Sequence, residues 1–304
     1  MNDIITDVKT LELETIKNLK NSKANNTVRA YEADFKDFTI FCIKHGLKHL
    51  PTEPKILSIY LTHLSKNNKF STLKRRIASI KVIHKMKGHY LDSKHPIIME
   101  NLLGIKRING SHQISKKPLL INDLKKILNV IDEKEINELK RIRNKSLILL
   151  GFSGGFRRSE LVNIEYDDLE FVDEGLKIFI KRSKTDQIGE GSIKAIPYFE
   201  NSAYCPVIKL QDWIKYKSIK SGTIYQISDK SVSLIIKKYA ILAGLDPNKY
   251  GGHSLRSGFA TAAAEAGAEE RNIMAMTGHK TTQMVRRYIR EANIFKNNAL
   301  NKIK

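Results

Sequence analysis

Apolar residues along the first third of the chain recur at helical intervals. Val28, Tyr31, Phe35, Phe38 and Phe41 share one face of a helix that Asn25, Asn26 or Thr27 can cap and Gly46 can stop. After Pro51 and Pro54 the spacing returns in Ile56, Leu57, Tyr60, Leu61 and Leu64, and again in Leu73, Ile77, Ile80, Val82 and Ile83 before Gly88. This predicts a small all-helical N-terminal domain over 1–108. Between Lys66 and Lys87 the polar positions hold Lys69, Lys74, Arg75, Arg76, Lys81 and Lys85 and no acidic residue. That helix therefore carries a cationic face, either a contact surface for phosphates or a plainly solvated one.

The periodicity lapses from Lys106 to Pro118, a polar, basic stretch that marks a linker over 109–118. In the second domain, 119–304, Leu124, Ile127, Leu128 and Ile131 predict a helix capped by Asn122 or Asp123, and Ile142 to Phe152 a buried helix ending at Ser153-Gly154-Gly155. The period then changes. Leu176 to Lys181 and Ser192 to Pro197 predict two short strands, with Ser183 to Gly191 as their hairpin connection. From Ser254 onward helices return, with Gly267 and Gly278 as stops. The fold class expected is mainly α, with a small antiparallel β-hairpin or sheet in the second domain.

Composition narrows the partner. Lys and Arg outnumber Asp and Glu by 53 to 32 over 304 residues, a formal charge of +21 that favours a polyanion, with nucleic acid foremost. Cys42 and Cys205 are far apart and lack metal-ligand spacing, which predicts neither a disulfide framework nor a metal site. The first residues have no secretory pattern and no stretch is apolar enough to span a bilayer, so a cytoplasmic, nucleoid-associated protein with no membrane partner is expected.

Three stretches carry candidate chemistry: Phe156-Arg157-Arg158-Ser159-Glu160-Leu161, Gly252-His253-Ser254-Leu255-Arg256, and Gly278-His279 with Arg287-Tyr288. A phosphodiester repels nucleophiles, so a site without a metal needs fixed cations to neutralise the charge that grows on phosphorus. Arginine suits this, because its guanidinium stays charged and grips two oxygens at once. Arg157 follows a Gly-Gly pair, and Glu160, three residues on, is placed to orient it. Arg256 and His253 have the same spacing at the start of a helix, whose amides also favour an anion. Arg158 reads as structural. Tyr288 offers a hydroxyl nine residues after His279, which must be activated by nearby cations and a proton acceptor. A leaving oxygen needs a proton, and Lys184 on the hairpin is placed to give it, with Lys181, Arg182 and Lys194 as alternatives or backbone contacts.

With these residues in this order, the chain resembles the tyrosine recombinases, or phage integrase family, over essentially its whole length. The lead-in Gly154-Gly155-Phe156 departs from the family's more usual Thr-Gly-Leu. The resemblance implies a helical core-binding domain and a catalytic domain that form a clamp on a double-stranded DNA target site. It also implies a homotetramer on two duplexes and strand exchange through a Holliday junction, with no cofactor, metal or ATP. By the same likeness Tyr288 is the nucleophile and forms a 3′-phosphotyrosine. Arg157, Arg256 and His279 hold the phosphate, His253 assists proton transfer, Lys184 is the general acid, and Glu160 supports Arg157. No arm-binding domain precedes the helical part, so the likeness is to the simpler two-domain members. The tail after Arg290, with Ala292, Ile294, Phe295, Ala299 and Leu300, reads as helical and docks either in a neighbouring protomer or on its own domain. A type IB topoisomerase or telomere resolvase would use a similar pocket, and a non-catalytic DNA-binding protein is the reading from another class.

Overall fold

The computed structural model describes residues 11, 14, 25–110, 116–181, 191–295 and 299–303. Part of the expected linker, 111–115, and the hairpin tip with Lys184 and Arg182 lie outside the described residues. The chain divides into two compact units, Met1–Ile114 and Ser115–Lys304. Among the described residues it is mainly helical, with a three-stranded antiparallel sheet in the second unit.

In the first unit α1 (Asn25–Lys44), α2 (Pro54–Ser65), α3 (Phe70–Met86) and α4 (Pro96–Asn109) close around Phe38, Leu57, Tyr60, Leu61, Leu73, Ile80, Ile98 and Leu102. Helix α4 adds to the expected set: Ile98, Leu102 and Ile105 lie on its inner face, and Pro96 sits in its first turn, where a missing N–H costs nothing. On α1, the inward position four residues before Phe38 belongs to Asp34, which is buried. A buried carboxylate is tolerable only when paired. Ser79 Oγ donates to it at 2.9 Å, and the Arg75 and Arg76 guanidinium groups from α3 both ion-pair with it. Arg76 also reaches Asp37 at 3.0 Å. Two of the six cations expected on the open face of α3 therefore tie α1 to α3, while Lys69, Lys74, Lys81 and Lys85 are exposed.

The second unit starts with α5 (Ile121–Lys134) and α6 (Glu138–Ser153). Helix α6 buries Leu147, Ile148, Leu149 and Leu150 in succession because α5, α8 (Pro206–Lys217) and α10 (Gly252–Glu265) surround it. Helix α7 (Arg158–Val162) leads to strands β1 (Leu169–Val172), β2 (Gly175–Ile180) and β3 (Ser192–Pro197), paired in that order with Ile178 opposite Lys194 and Leu176 opposite Ile196. Then come α8, α9 (Asp229–Leu242), α10, α11 (Glu270–Thr277) and α12 (Thr282–Ala292). A Cβ at Gly258 on α10 would stand 2.1 Å from the Leu119 carbonyl oxygen, so this glycine lets the entering chain lie against the helix.

Three expectations are corrected. Helix α5 begins at Ile121 behind Leu120, and neither Asn122 nor Asp123 caps it; the Asp123 carboxylate instead accepts a 2.7 Å hydrogen bond from the Tyr250 hydroxyl. Strand β1 joins the hairpin although its residues are only half buried or exposed, so it shows no alternation of polarity. The tail does not continue as one helix: α12 ends at Ala292 and a 3-10 turn covers Ala299–Lys302, with Ile294, Phe295 and Leu300 exposed in the single chain. Among the described residues no helix is long and apolar enough to cross a membrane.

Candidate active site

The site is assembled on three turns of the second unit. After α6 the chain reverses at Gly154-Gly155. Gly155 has φ +55°, and a Cβ there would also meet the Phe259 ring at 3.0 Å and Thr277 Cγ2 at 3.2 Å. Phe156 is buried in the core, which anchors the turn and leaves Arg157 as the N-cap of α7. Glu160 closes a loop on Arg157: its carboxylate accepts the Arg157 backbone N–H at 2.9 Å and ion-pairs with the guanidinium. The other end of that guanidinium donates to the Gly278 carbonyl at 3.1 Å.

Helix α10 supplies the second turn. Arg256 is 2 % exposed, and its Nη1 donates to the Gly155 carbonyl at 2.9 Å. Burial, then the charge of Arg157, push its pKa down to about 10, so it keeps its proton at neutral pH. One turn earlier His253 Nε2 lies 3.3 Å from the Tyr288 hydroxyl. His253 opens to solvent on one side; desolvation on the other, then the charges of Arg256, Arg157 and Arg158, hold it below the ordinary imidazole value.

The third turn follows α11, where Gly278 adopts φ +61° and delivers His279. Thr277 Oγ1 donates to the Ile273 carbonyl, so it receives its 2.7 Å hydrogen bond from His279 Nδ1 and leaves His279 Nε2 as the acceptor of a neutral ring. Burial, followed by Arg256, Arg157, His253 and Lys194, pushes the His279 pKa down to about 4. Its ring centroid is 6.1 Å from that of Tyr288. Tyr288 is 8 % exposed and rides on α12, which seats Val285 and Tyr288 against Ala260 and Ala264 of α10 and Ile273 of α11. Arg157, His253, Arg256 and His279 line one cavity of about 600 Å³. Tyr288 lines an adjoining cavity of about 340 Å³ that shares His253 and Met284 with the first.

The neutral His279 has a measurable consequence. In the free protein its ring is expected to stay unprotonated until the pH nears 4, whereas an unfolded histidine takes up its proton near pH ~6.5. Between those values the unfolded chain binds the extra proton. Stability conferred by this group is therefore complete above the upper value and is lost as pH falls through the window. An NMR titration in which the His279 ring protonates at the ordinary value would contradict this environment.

The structure brings Tyr288, Arg157, Arg256, His253, His279 and Glu160 together. Lys184 lies outside the described residues. The alternatives for its role take other places: Lys181 is ion-paired with Asp168, at 2.9 Å, and with Glu165, and Lys194 is buried beneath the site. Arg158 faces Asp229 at 3.8 Å. Thr277, which fixes the His279 tautomer, was not visible as a site residue, since its partner is defined only by the turn after α11.

Comparison with known proteins agrees with this fold. The phage integrase family matches residues 118–293. An integrase/recombinase xerD homolog of Selenomonas ruminantium is 41% identical over 308 aligned residues, which cover 96% of this chain and 89% of that protein. A tyrosine recombinase of Agathobacter rectalis is 30% identical, covering 76% of each. Among solved structures, the XerH site-specific recombinase bound to a palindromic difH substrate has a TM-score of 0.64 at 18% identity, covering 83% of this chain and 72% of that one. A lambda integrase dimer bound to a COC′ core site has a TM-score of 0.61 at 16% identity, covering 92% and 93%. The chain is thus an enzyme of DNA strand cleavage and rejoining. It belongs to the phage integrase family, the tyrosine recombinases.

Proposed function

We propose that Tyr288 is the nucleophile of a site-specific recombination in which its phenolic oxygen attacks a backbone phosphorus and the bond to the 5′-oxygen breaks. The DNA is left with a 3′-phosphotyrosine and a free 5′-hydroxyl. The covalent ester conserves the energy of the broken linkage, so rejoining consumes no ATP. Arg157 and Arg256 neutralise the pentacoordinate phosphorus, with His279 as a further phosphate contact once the bound anion favours a proton on its Nε2. His253 takes the phenolic proton, and Lys184 gives one to the leaving oxygen. Glu160 holds Arg157 in aim.

The observation that carries this reading is the 3.3 Å contact between His253 Nε2 and the Tyr288 hydroxyl, because a base in hydrogen-bond reach of the phenol is what makes it a nucleophile at neutral pH. The helical unit, 1–108, is the core-binding domain, joined through 109–118 to the catalytic domain, 119–304. Its exposed Lys69, Lys74, Lys81 and Lys85 contact DNA phosphates, and Arg75 and Arg76 place the helix that carries them. The working assembly is a homotetramer on two duplexes that exchanges one pair of strands and then the other through a Holliday junction. Lambda integrase is seen as a dimer bound to a COC′ core site, and two pairs of that kind would make up four protomers.

The test uses a supercoiled plasmid with two copies of the target site, identified by selecting bound and cleaved fragments from random DNA. Deletion or inversion products are expected. Relaxation of supercoils with neither product would replace recombination by a topoisomerase activity in the same pocket.

A further inference from the structure

Lys194 is a charged side chain where the fold calls for an apolar one. It occupies an inward position of β3, in the same alternation as Ile196, and is 5 % exposed. Burying an ammonium carries a large desolvation cost, which a methionine of similar length would avoid. Its contacts are specific. The Nζ donates to the Gly154 carbonyl at 2.6 Å and to the Met276 carbonyl, and lies 4.5 Å from the centroid of the Phe156 ring. One acceptor belongs to the turn that presents Arg157, the other to the helix end that presents His279.

The arginines hold these turns as well: Arg157 bridges the first turn to Gly278, and Arg256, from α10, donates to Gly155. A bound phosphate competes for those guanidinium donors. Lys194 is buried and does not line the cavity that Arg157, Arg256 and His279 share, so its two bonds persist when theirs are redirected. We propose that Lys194 is a positioning residue for strand cleavage, its ammonium clamping the Gly154–Gly155 turn to the Met276–Gly278 turn so that Arg157, Arg256 and His279 keep their places while the guanidinium groups turn to the phosphate. Burial lowers its pKa most, Glu160 opposes this, and Arg256 and Arg157 add to the lowering; the resulting value of about 8 leaves the ammonium charged at neutral pH.

This role rests on the assignment of Arg157, Arg256 and His279 made above, and the experiment separates the two. Lys194→Met is compared with wild type for thermal unfolding, for affinity to a nicked duplex carrying the selected site, and for the rate of covalent adduct formation at saturating DNA. Melting within a few degrees, affinity within about threefold and adduct formation slowed by about 100-fold are expected, the size of effect a misplacement near 1 Å produces. Adduct formation within threefold of wild type in the folded variant overturns the positioning role. So does a loss that follows affinity alone. If Lys194→Met does not fold, Lys194→Ala is assayed with added propylammonium, using propanol as the uncharged control. Restored cleavage with the amine alone supports the clamp, and restored folding without cleavage overturns it. The assignment of the pocket fails on a different result, an adduct that survives removal of the Tyr288 hydroxyl.

Discussion

Tyr288→Phe is expected to bind target DNA within about threefold of wild type and to lose covalent capture by at least about 10⁴-fold, since only the attacking atom is removed. The ring is 8 % exposed and packs with Val285 against Ala260, Ala264 and Ile273, contacts that phenylalanine keeps. What disappears is the hydroxyl facing His253 Nε2 at 3.3 Å. His253 opens to solvent on one side, so its nitrogen can turn to water and the fold tolerates the change. The measurement is a denaturing gel of protein mixed with a nicked suicide duplex, in which the free 5′-end leaves and the adduct accumulates. A denaturation-resistant adduct formed by Tyr288→Phe would remove this tyrosine from the mechanism.

Arg256→Gln is expected to slow adduct formation by about 10³-fold at saturating DNA, with thermal stability nearly unchanged. The magnitude is that of deleting one preorganised donor to a developing oxyanion, increased by the loss of a full charge. Glutamine ends two bonds short of Nη1 and gives up its 2.9 Å hydrogen bond to the Gly155 carbonyl, a loss of about 1 kcal/mol. Against this, losing the buried cation relieves the repulsion with Arg157 that helps hold the Arg256 pKa at about 10. The variant therefore separates electrostatic catalysis from folding: the effect belongs in the rate at saturation, measured with the same suicide duplex. A variant that cleaves at the wild-type rate once DNA is saturating would reduce Arg256 to a binding residue.

Much of the fold was legible because burial imposes periodicity. The stripe of Leu57, Tyr60, Leu61 and Leu64 specified α2 without any knowledge of its partner, and the alternation of Leu176, Ile178 and Ile180 specified β2. Where a segment's polarity was set by contacts remote in sequence, the reading failed. Asp34 sits in an apolar stripe because Ser79 and two arginines from another helix satisfy it. Asp123, which looks like a cap, is taken by Tyr250, 127 residues away. The exposed lysines of α3 were legible as a face, but nothing local distinguished them from Arg75 and Arg76.

The site divides in the same way. Chemistry is a property of residue type, so the phenol of Tyr288, the guanidinium groups of Arg157 and Arg256 and the imidazoles of His253 and His279 were available to a reading of the sequence alone, as was the local pairing of Arg157 with Glu160. Their convergence was not, because it depends on turns that meet only after α6, α10, α11 and β3 have packed. The same lysine side chain has opposite fates at 181 and 194: one is exposed and ion-paired, the other buried against two carbonyl oxygens. Pairing register and packing decide which environment each one meets, and environment decides whether an ammonium group is solvated, neutralised or built into the support of a reactive pocket.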